Sequence, residues 1–170
     1  MINIYCVAKN MALLEFSINE QVTTQNMEMV DEIRTILESI DRRIPGNAYR
    51  KSIIEKLEIA GWSGKVSIEH DSRASVDGIR KGVGLVVQLG NHASGVLQIF
   101  NLEYLYTMNK ISAGIFITQT FAQAVQRHSL RNPGVTTDGN YINSERLEPD
   151  LNLYSEFLKC PITVIAIDEF

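Results

Sequence analysis

Apolar residues recur at intervals of three and four in two consecutive segments of the first third of the chain. The first segment is Asn26–Ile40, which ends shortly before Pro45, and the second is Asn47–Ala60, which Gly61 follows. This spacing places the apolar side chains on one face of a helix, and glycine is typical of a helix C-terminus. The pattern therefore predicts two amphipathic helices.

After Trp62 the apolar period changes from 3.6 residues to two, which is typical of strands. Alternating segments occupy Lys65–Glu69, Ala74–Ile79 and Val83–Leu89. The gap around Lys81 is too short for a parallel crossover, which needs a dozen or more residues. We therefore expect the last two segments to form an antiparallel hairpin centred near Lys81 and Gly82.

A predicted helix, Ala93–Asn109, is followed at once by a predicted strand, Ile111–Thr118. A strand, helix and strand in this order fit a parallel crossover. We further predict a short opening strand over Ile2–Ala8, whose boundary is blurred by a helix beginning near Met11. Two more helical segments, Phe121–His128 and Glu145–Lys159, are separated by a loop, Leu130–Asn143. A closing buried strand covers Pro161–Ile167. The fold class expected is α/β, with a mixed central sheet flanked by helices.

Composition adds three expectations. The chain has 170 residues, 45% of them hydrophobic, which suits one domain over residues 1–170 with a core of its own. It has no apolar run long enough to span a membrane and no secretory signal pattern at its start, so we expect a cytoplasmic protein. Cys6 and Cys160 lack the spacing of a zinc site, so we expect reduced thiols.

The charge is unevenly distributed along the chain. The whole chain has a net charge of −4, but the segment from Arg42 to Lys81 holds nine basic and five acidic residues, a local charge of +4. Basic residues scattered in this way usually decorate solvated faces. The segregation is also compatible with a polyanionic partner.

The third predicted strand contains a glutamine where an apolar run would be expected to continue. Alternation along the strand places Val86 and Gln88 on one face, and the hairpin brings the carboxylate of Asp77 toward that face. Such a group of side chains can gather oxygen ligands for Mg²⁺. Simpler interpretations stay open: Gln88 as a core amide bonded to backbone, and Asp77 as a turn cap or an ion-pair partner of Arg80 or Lys81.

The segment V76-D-G-I-R-K-G-V-G-L-V-V-Q-L-G-N91 resembles the active-site hairpin of BglII/BstYI-type restriction endonucleases, in the PD-(D/E)XK nuclease superfamily. In that hairpin an Asp is followed nine positions later by a Glu. One residue of any type comes next, and then a Gln, which stands where most of the superfamily has a Lys. The interval from Asp77 to Gln88 matches. The likeness extends to the two helices, to Trp62 and to the strand around residues 114–117, so it implies a restriction-endonuclease-like core.

The sequence departs from this pattern at Val86, which stands where the family has its metal-binding glutamate. An isopropyl group offers no electron pair to a cation. Three explanations stay open: an inactivated copy of a nuclease, which we favour, a natural binder that no longer cuts, or migration of the role to another carboxylate, with Glu69 and Asp71 as candidates.

The resemblance implies a type II restriction endonuclease that makes Mg²⁺-dependent double-strand cuts at a short palindromic DNA site, here inactive or weakened by Val86. It assigns Asp77 and the carbonyl of Val87 as metal ligands, and Asp77, Gln88 and position 86 as catalytic positions. Gln88 would position or polarise the attacking water.

The resemblance also implies a homodimer on double-stranded DNA, because a two-fold protein axis matches a palindrome. Candidate DNA contacts are Asn91 and His92, just after the strand, and Lys81 at the hairpin tip. The predicted helix Ala93–Asn109 has apolar residues around much of its circumference, which suits either a dimer helix or a core helix. Two other functions stay open: a non-cleaving DNA-binding or interaction protein on a nuclease scaffold, and an unrelated α/β ligand-binding protein.

Overall fold

A computed structural model describes residues 3–5, 13–18, 24–41, 44 and 46–168. Strand β1 (Asn3–Tyr5) confirms part of the predicted opening strand, whose other residues lie outside the described ones. It pairs antiparallel with β2 (Leu13–Ile18). The expectation of a helix beginning near Met11 is therefore wrong for these residues. Their sequence, LLEFSI, alternates from its second position with the two-residue period of a strand.

The two amphipathic helices are confirmed. Helix α1 spans Thr24–Glu38 and helix α2 spans Gly46–Ile59. Gly61 follows α2 with a φ of +94°, and the N–H of Trp62 donates to the carbonyl of Leu57, which closes the last turn of the helix. Buried side chains of both helices pack on one face of the main sheet.

The polypeptide between α2 and the next helix forms four short strands in two sheets. β3 (Val66–Ser67) pairs with β4 (Ser75–Val76) in a separate two-stranded sheet. β5 (Gly78–Arg80) pairs with β6 (Val83–Val87) in the main sheet. The prediction of one continuous strand over Ala74–Ile79 is thus wrong, since the chain changes sheets at Asp77.

The hairpin centred near Lys81 and Gly82 is confirmed. Both residues have positive φ angles, +47° and +76°, so they form the tight two-residue turn that matches strand twist. After β6, helix α3 (His92–Thr107) crosses over to β7 (Ala113–Gln119), which lies parallel to β6. The predicted parallel crossover is therefore present.

The main sheet has six strands in the order β1-β2-β8-β7-β6-β5, where β8 is Ile162–Ile167. The pairs β6–β7 and β7–β8 are parallel and the other pairs are antiparallel, so the sheet is mixed, as expected. Gly84 and Gly114 are neighbours in the register of β6 and β7. A Cβ at either position would crowd Leu102 of α3, so the two glycines let this helix pack closely on the sheet.

Two more helices complete the described chain. α4 spans Phe121–Arg131, and α5 spans Ser144–Tyr154 with Pro149 inside it. The predicted loop between them begins at residue 132 and is held by hydrogen bonds, including one of 3.0 Å from the Asn143 side chain to Asp138. Helices α3 and α5 cover the sheet face opposite α1 and α2. No helix in the described ranges is both long and apolar enough to cross a membrane.

Candidate active site

Asp77 lies at the point where the chain leaves β4 and enters β5. Its backbone N–H donates to the carbonyl of Leu85 at 2.8 Å, and its Oδ2 accepts from the N–H of Val87 at 2.7 Å. These two bonds attach the aspartate to β6 although the strand pairing is interrupted there. The side chain keeps 18% of its surface exposed, so the carboxylate is largely desolvated but not sealed in the core.

Arg50, from the first turns of α2, contacts both oxygen atoms that the resemblance assigns to a metal ion. Its Nη2 lies 2.5 Å from Oδ1 of Asp77, and its Nε donates to the carbonyl of Val87 at 2.8 Å. Hydrogen bonds between ionised groups are shorter and stronger than neutral ones. The guanidinium therefore joins α2, Asp77 and the end of β6 in one charged network.

Val86 points into the hydrophobic core. It is 1% exposed and belongs to the cluster that includes Ile99, Leu102 and Phe116. A carboxylate on this side chain would be surrounded by hydrocarbon unless it reached Asp77, and burying an unpaired charge is costly. Position 86 supplies no ligand atom in this chain.

Gln88 directly follows β6 and is half-buried, so it lies outside the core, although its amide is directed at backbone as the core-amide interpretation has it. Its Nε2 lies 3.5 Å from the carbonyl of Asn91, which is long for a hydrogen bond. The side chain lines a cavity that Arg50 also lines. Arg50 is therefore bonded to Asp77 and lines the same cavity as Gln88.

Three side chains predicted to contact DNA have defined places in the fold. Asn91 caps α3, because its Oδ1 accepts from the backbone N–H of Ala93 at 2.9 Å. His92 lies in the first turn of α3, with its Nε2 2.8 Å from Oδ2 of Asp150. Lys81 is exposed at the hairpin tip. Their DNA contacts stay a prediction.

The two carboxylates considered as replacements for the missing glutamate bond elsewhere. Glu69 accepts from the hydroxyl of Tyr104 at 2.5 Å and lies 3.6 Å from Nζ of Lys110, and these partners hold the pKa of Glu69 below its usual value. Asp71 is exposed, with its Oδ1 2.9 Å from the ring of His70. Neither is bonded to Asp77. The alternative pairing of Asp77 with Arg80 is also wrong, since Arg80 pairs with Glu32 at 2.6 Å.

These donors do not fit a divalent cation as the chain stands. Mg²⁺ is held by one or two carboxylates, needs near-octahedral geometry and repels other cations. The carboxylate that the described residues bring to this place is that of Asp77, and Arg50 is already ion-paired with it. Among the residues that the structure describes, no group of three or more His, Cys, Asp or Glu side chains could hold a metal.

The mixed sheet, the helices on both of its faces and the break at Asp77 define a restriction-endonuclease-like fold. Comparison with solved structures agrees: the crystal structure of restriction endonuclease BglII complexed with a DNA 16-mer superposes with a TM-score of 0.74 at 14% identity, covering 94% of this chain and 79% of that one. A sequence model described as "Restriction endonuclease BglII/BglIII" matches residues 12–167. The chain therefore belongs to the BglII/BglIII restriction endonuclease family. No curated protein sequence gives a significant match.

Two further arginines lie in this region: Arg50 and, across the cavity that Gln88 lines, Arg127. Arg50 precedes Ile54 and Leu57 by four and seven residues, so helical spacing already places it on the inward side of α2. Arg127 follows Gln123 and Ala124 by four and three residues on α4, and both of those are buried. A helical projection would have found both arginines, whereas counting net charge by segment does not.

Proposed function

We propose that this chain recognises a short palindromic site in double-stranded DNA as a homodimer, and that Val86 abolishes or strongly weakens the Mg²⁺-dependent cutting expected of a type II restriction endonuclease. Family membership supports the DNA-directed part of the proposal. It would act in the cytoplasm, where DNA is accessible. The observation that carries the second part is the network of Arg50, Asp77 and Val87 beside an apolar position 86.

Loss of one carboxylate has a direct electrostatic consequence. A cation site with two carboxylates and a carbonyl can offset a dication, whereas one carboxylate next to a guanidinium has no net negative charge left. The side chains that remain can still contact DNA. Binding without efficient cutting is the expected behaviour.

The test is a comparison of the unaltered chain with Val86→Glu on unmethylated plasmid and Mg²⁺. The unaltered chain should retain duplex DNA in a salt-dependent manner and leave the plasmid intact. Val86→Glu should introduce nicks or double-strand cuts, and adding Asp77→Asn to it should remove them.

Val86→Gln is the matched control, because glutamine has the same length as glutamate but carries no charge. It should bind DNA and not cut. If Val86→Glu folds, binds DNA and leaves every duplex intact, the assignment of this hairpin as an inactivated nuclease site is wrong.

Helix α3 supports the homodimer. The helix and its C-cap residue expose four large apolar side chains at helical spacing: Leu97, Phe100, Tyr104 and, at the C-cap, Met108. Apolar stripes of this kind are typical of subunit interfaces, and a palindromic DNA site requires a two-fold partner. Light scattering should give the mass of two chains, and a monomer at concentrations that bind DNA would contradict this part of the proposal.

The second candidate is a DNA-binding or interaction protein that keeps the nuclease fold without cleavage. The ion pair of Arg50 with Asp77 favours it, because a metal ion and this arginine compete for the same oxygens. The glutamate variant distinguishes the two, since a scaffold adapted for binding alone gains no cutting from one restored carboxylate.

A further inference from the structure

A cavity of about 250 Å³ opens between α2, the end of β6, α4 and the polypeptide near Tyr141. Three arginines line it, Arg50, Arg127 and Arg131, and no acidic side chain is among the residues described at its wall. Pockets for drug-sized ligands are larger, roughly 300–1,000 Å³. The cavity suits a small anionic group.

Arg127 is the most unusual of the three arginines. It is 7% exposed, and its Nη1 and Nη2 have no hydrogen-bond partner among the described residues. Its guanidinium lies 4.4 Å over the ring of Tyr49, and its Nε is 3.1 Å from the Gln123 amide oxygen once that amide is oriented to satisfy its neighbours. A buried cation with two unused donors is costly, so these donors are best explained by a ligand.

A second positive charge faces the same cavity. Arg131 is exposed, and its Nη1 donates to the hydroxyl of Tyr141 at 2.9 Å. Burial and, to a smaller extent, repulsion from Arg131 lower the pKa of Arg127 to about 10, although Tyr49 and Tyr141 oppose this shift. Like charges at one cavity attract an anion between them.

We infer that this cavity binds a phosphate group, with Arg127 and Arg131 as its charged ligands. Arginine presents paired N–H donors that match phosphate oxygens. Arg50 and Gln88 belong both to this cavity and to the candidate active site. The inference that the phosphate belongs to a DNA strand rests on the proposed function, and a free phosphate or nucleotide would use the same chemistry.

The experiment measures binding of two probes, a short DNA duplex and inorganic phosphate. Arg131→Ala and Arg127→Gln should each weaken duplex binding about tenfold, as expected for loss of a charge-assisted hydrogen bond. Each should also reduce the slope of log affinity against log salt concentration by about 0.9, the value for one lost phosphate contact. Arg73→Ala is the control, because it removes the same charge from an exposed residue between β3 and β4.

The outcomes separate this site from the proposed function. If the duplex binds but Arg131→Ala and Arg127→Gln change neither affinity nor slope relative to Arg73→Ala, and phosphate does not bind, the phosphate site is wrong while DNA binding stands. If phosphate binds through these arginines and the duplex does not, the site stands and DNA binding fails. If neither probe binds, both fail. Because Arg131 is exposed, Arg131→Ala decides the result should Arg127→Gln unfold.

Discussion

The ion pair between Arg50 and Asp77 predicts a measurable coupling in folding stability. Arg50→Met removes the guanidinium and keeps much of the aliphatic stem, and Asp77→Asn removes the charge and keeps an oxygen that can accept from Val87. Combining both changes gives a double-mutant cycle, in which the coupling is the part of the stability loss that the single changes share.

The geometry sets the expected magnitude. The two side chains are 41% and 18% exposed and approach to 2.5 Å, so the pair lies between a solvated and a buried one. Exposed pairs contribute about 0–1 kcal/mol, whereas hydrogen bonds to charged groups contribute about 1.5–3 kcal/mol. We expect a coupling of about 2 kcal/mol, which corresponds to roughly 4–8 °C in Tm for a chain of this size.

Lys51 and Glu55 provide the control on the same helix. Their charged groups are 3.5 Å apart, and the side chains are 76% and 55% exposed, so a cycle of Lys51→Met and Glu55→Gln should give about 0.5 kcal/mol or less. Urea unfolding of all variants measures both couplings. Equal couplings for the two pairs would refute the view that Arg50 is bound specifically by Asp77.

Two further predictions concern the core on the α3 side. Gly95→Ala should destabilise the fold by about 1–3 kcal/mol despite the helical preference of alanine, because the added Cβ overlaps the buried Cδ1 of Ile142. The control Ser94→Ala, on the exposed side of the same turn, should be nearly neutral. A Gly95→Ala protein that is more stable than the unaltered chain would contradict this packing. In a Cys6→Ser background, the thiol of Cys160 should react with a disulfide reagent many times more slowly in the native protein than in denaturant. Burial of this thiol raises its pKa, and the charge of Glu103 raises the pKa further. Equal rates in the two conditions would show that the thiol is accessible.

Much of the fold follows from local patterning. The helices α1, α2 and α3 and strands β6, β7 and β8 have strong apolar periods, so sequence alone placed them within a few residues of their observed ends. Strand β2 gives a weak signal because it has six residues and alternates only from its second one, and its pairing with β8 makes it distinct. The break at Asp77 is equally hard to predict, because alternation holds up to this residue and the hydrogen bonds to β6 reveal the change of sheet.

The site was partly predictable. The residue types and spacing of Asp77 and Gln88 are visible in the sequence, and so is the apolar residue between them. The partner of the aspartate was not, because Arg50 is 27 residues away and belongs to a different element. Contacts between distant elements depend on how helices pack on the sheet, and local periodicity carries no information about them.

Val86 and Arg50 have a physical relation that one further variant can test. With valine at position 86, a guanidinium is well matched to one carboxylate and one carbonyl. With glutamate there, two carboxylates would exceed the single charge of Arg50 and favour a dication. The double variant Val86→Glu with Arg50→Met lacks the competing arginine. Mg²⁺ should therefore raise the Tm of the double variant by more than it raises the Tm of Val86→Glu alone. A smaller increase would mean that Arg50 orients Asp77 for the cation, and competition between the two would have to be abandoned.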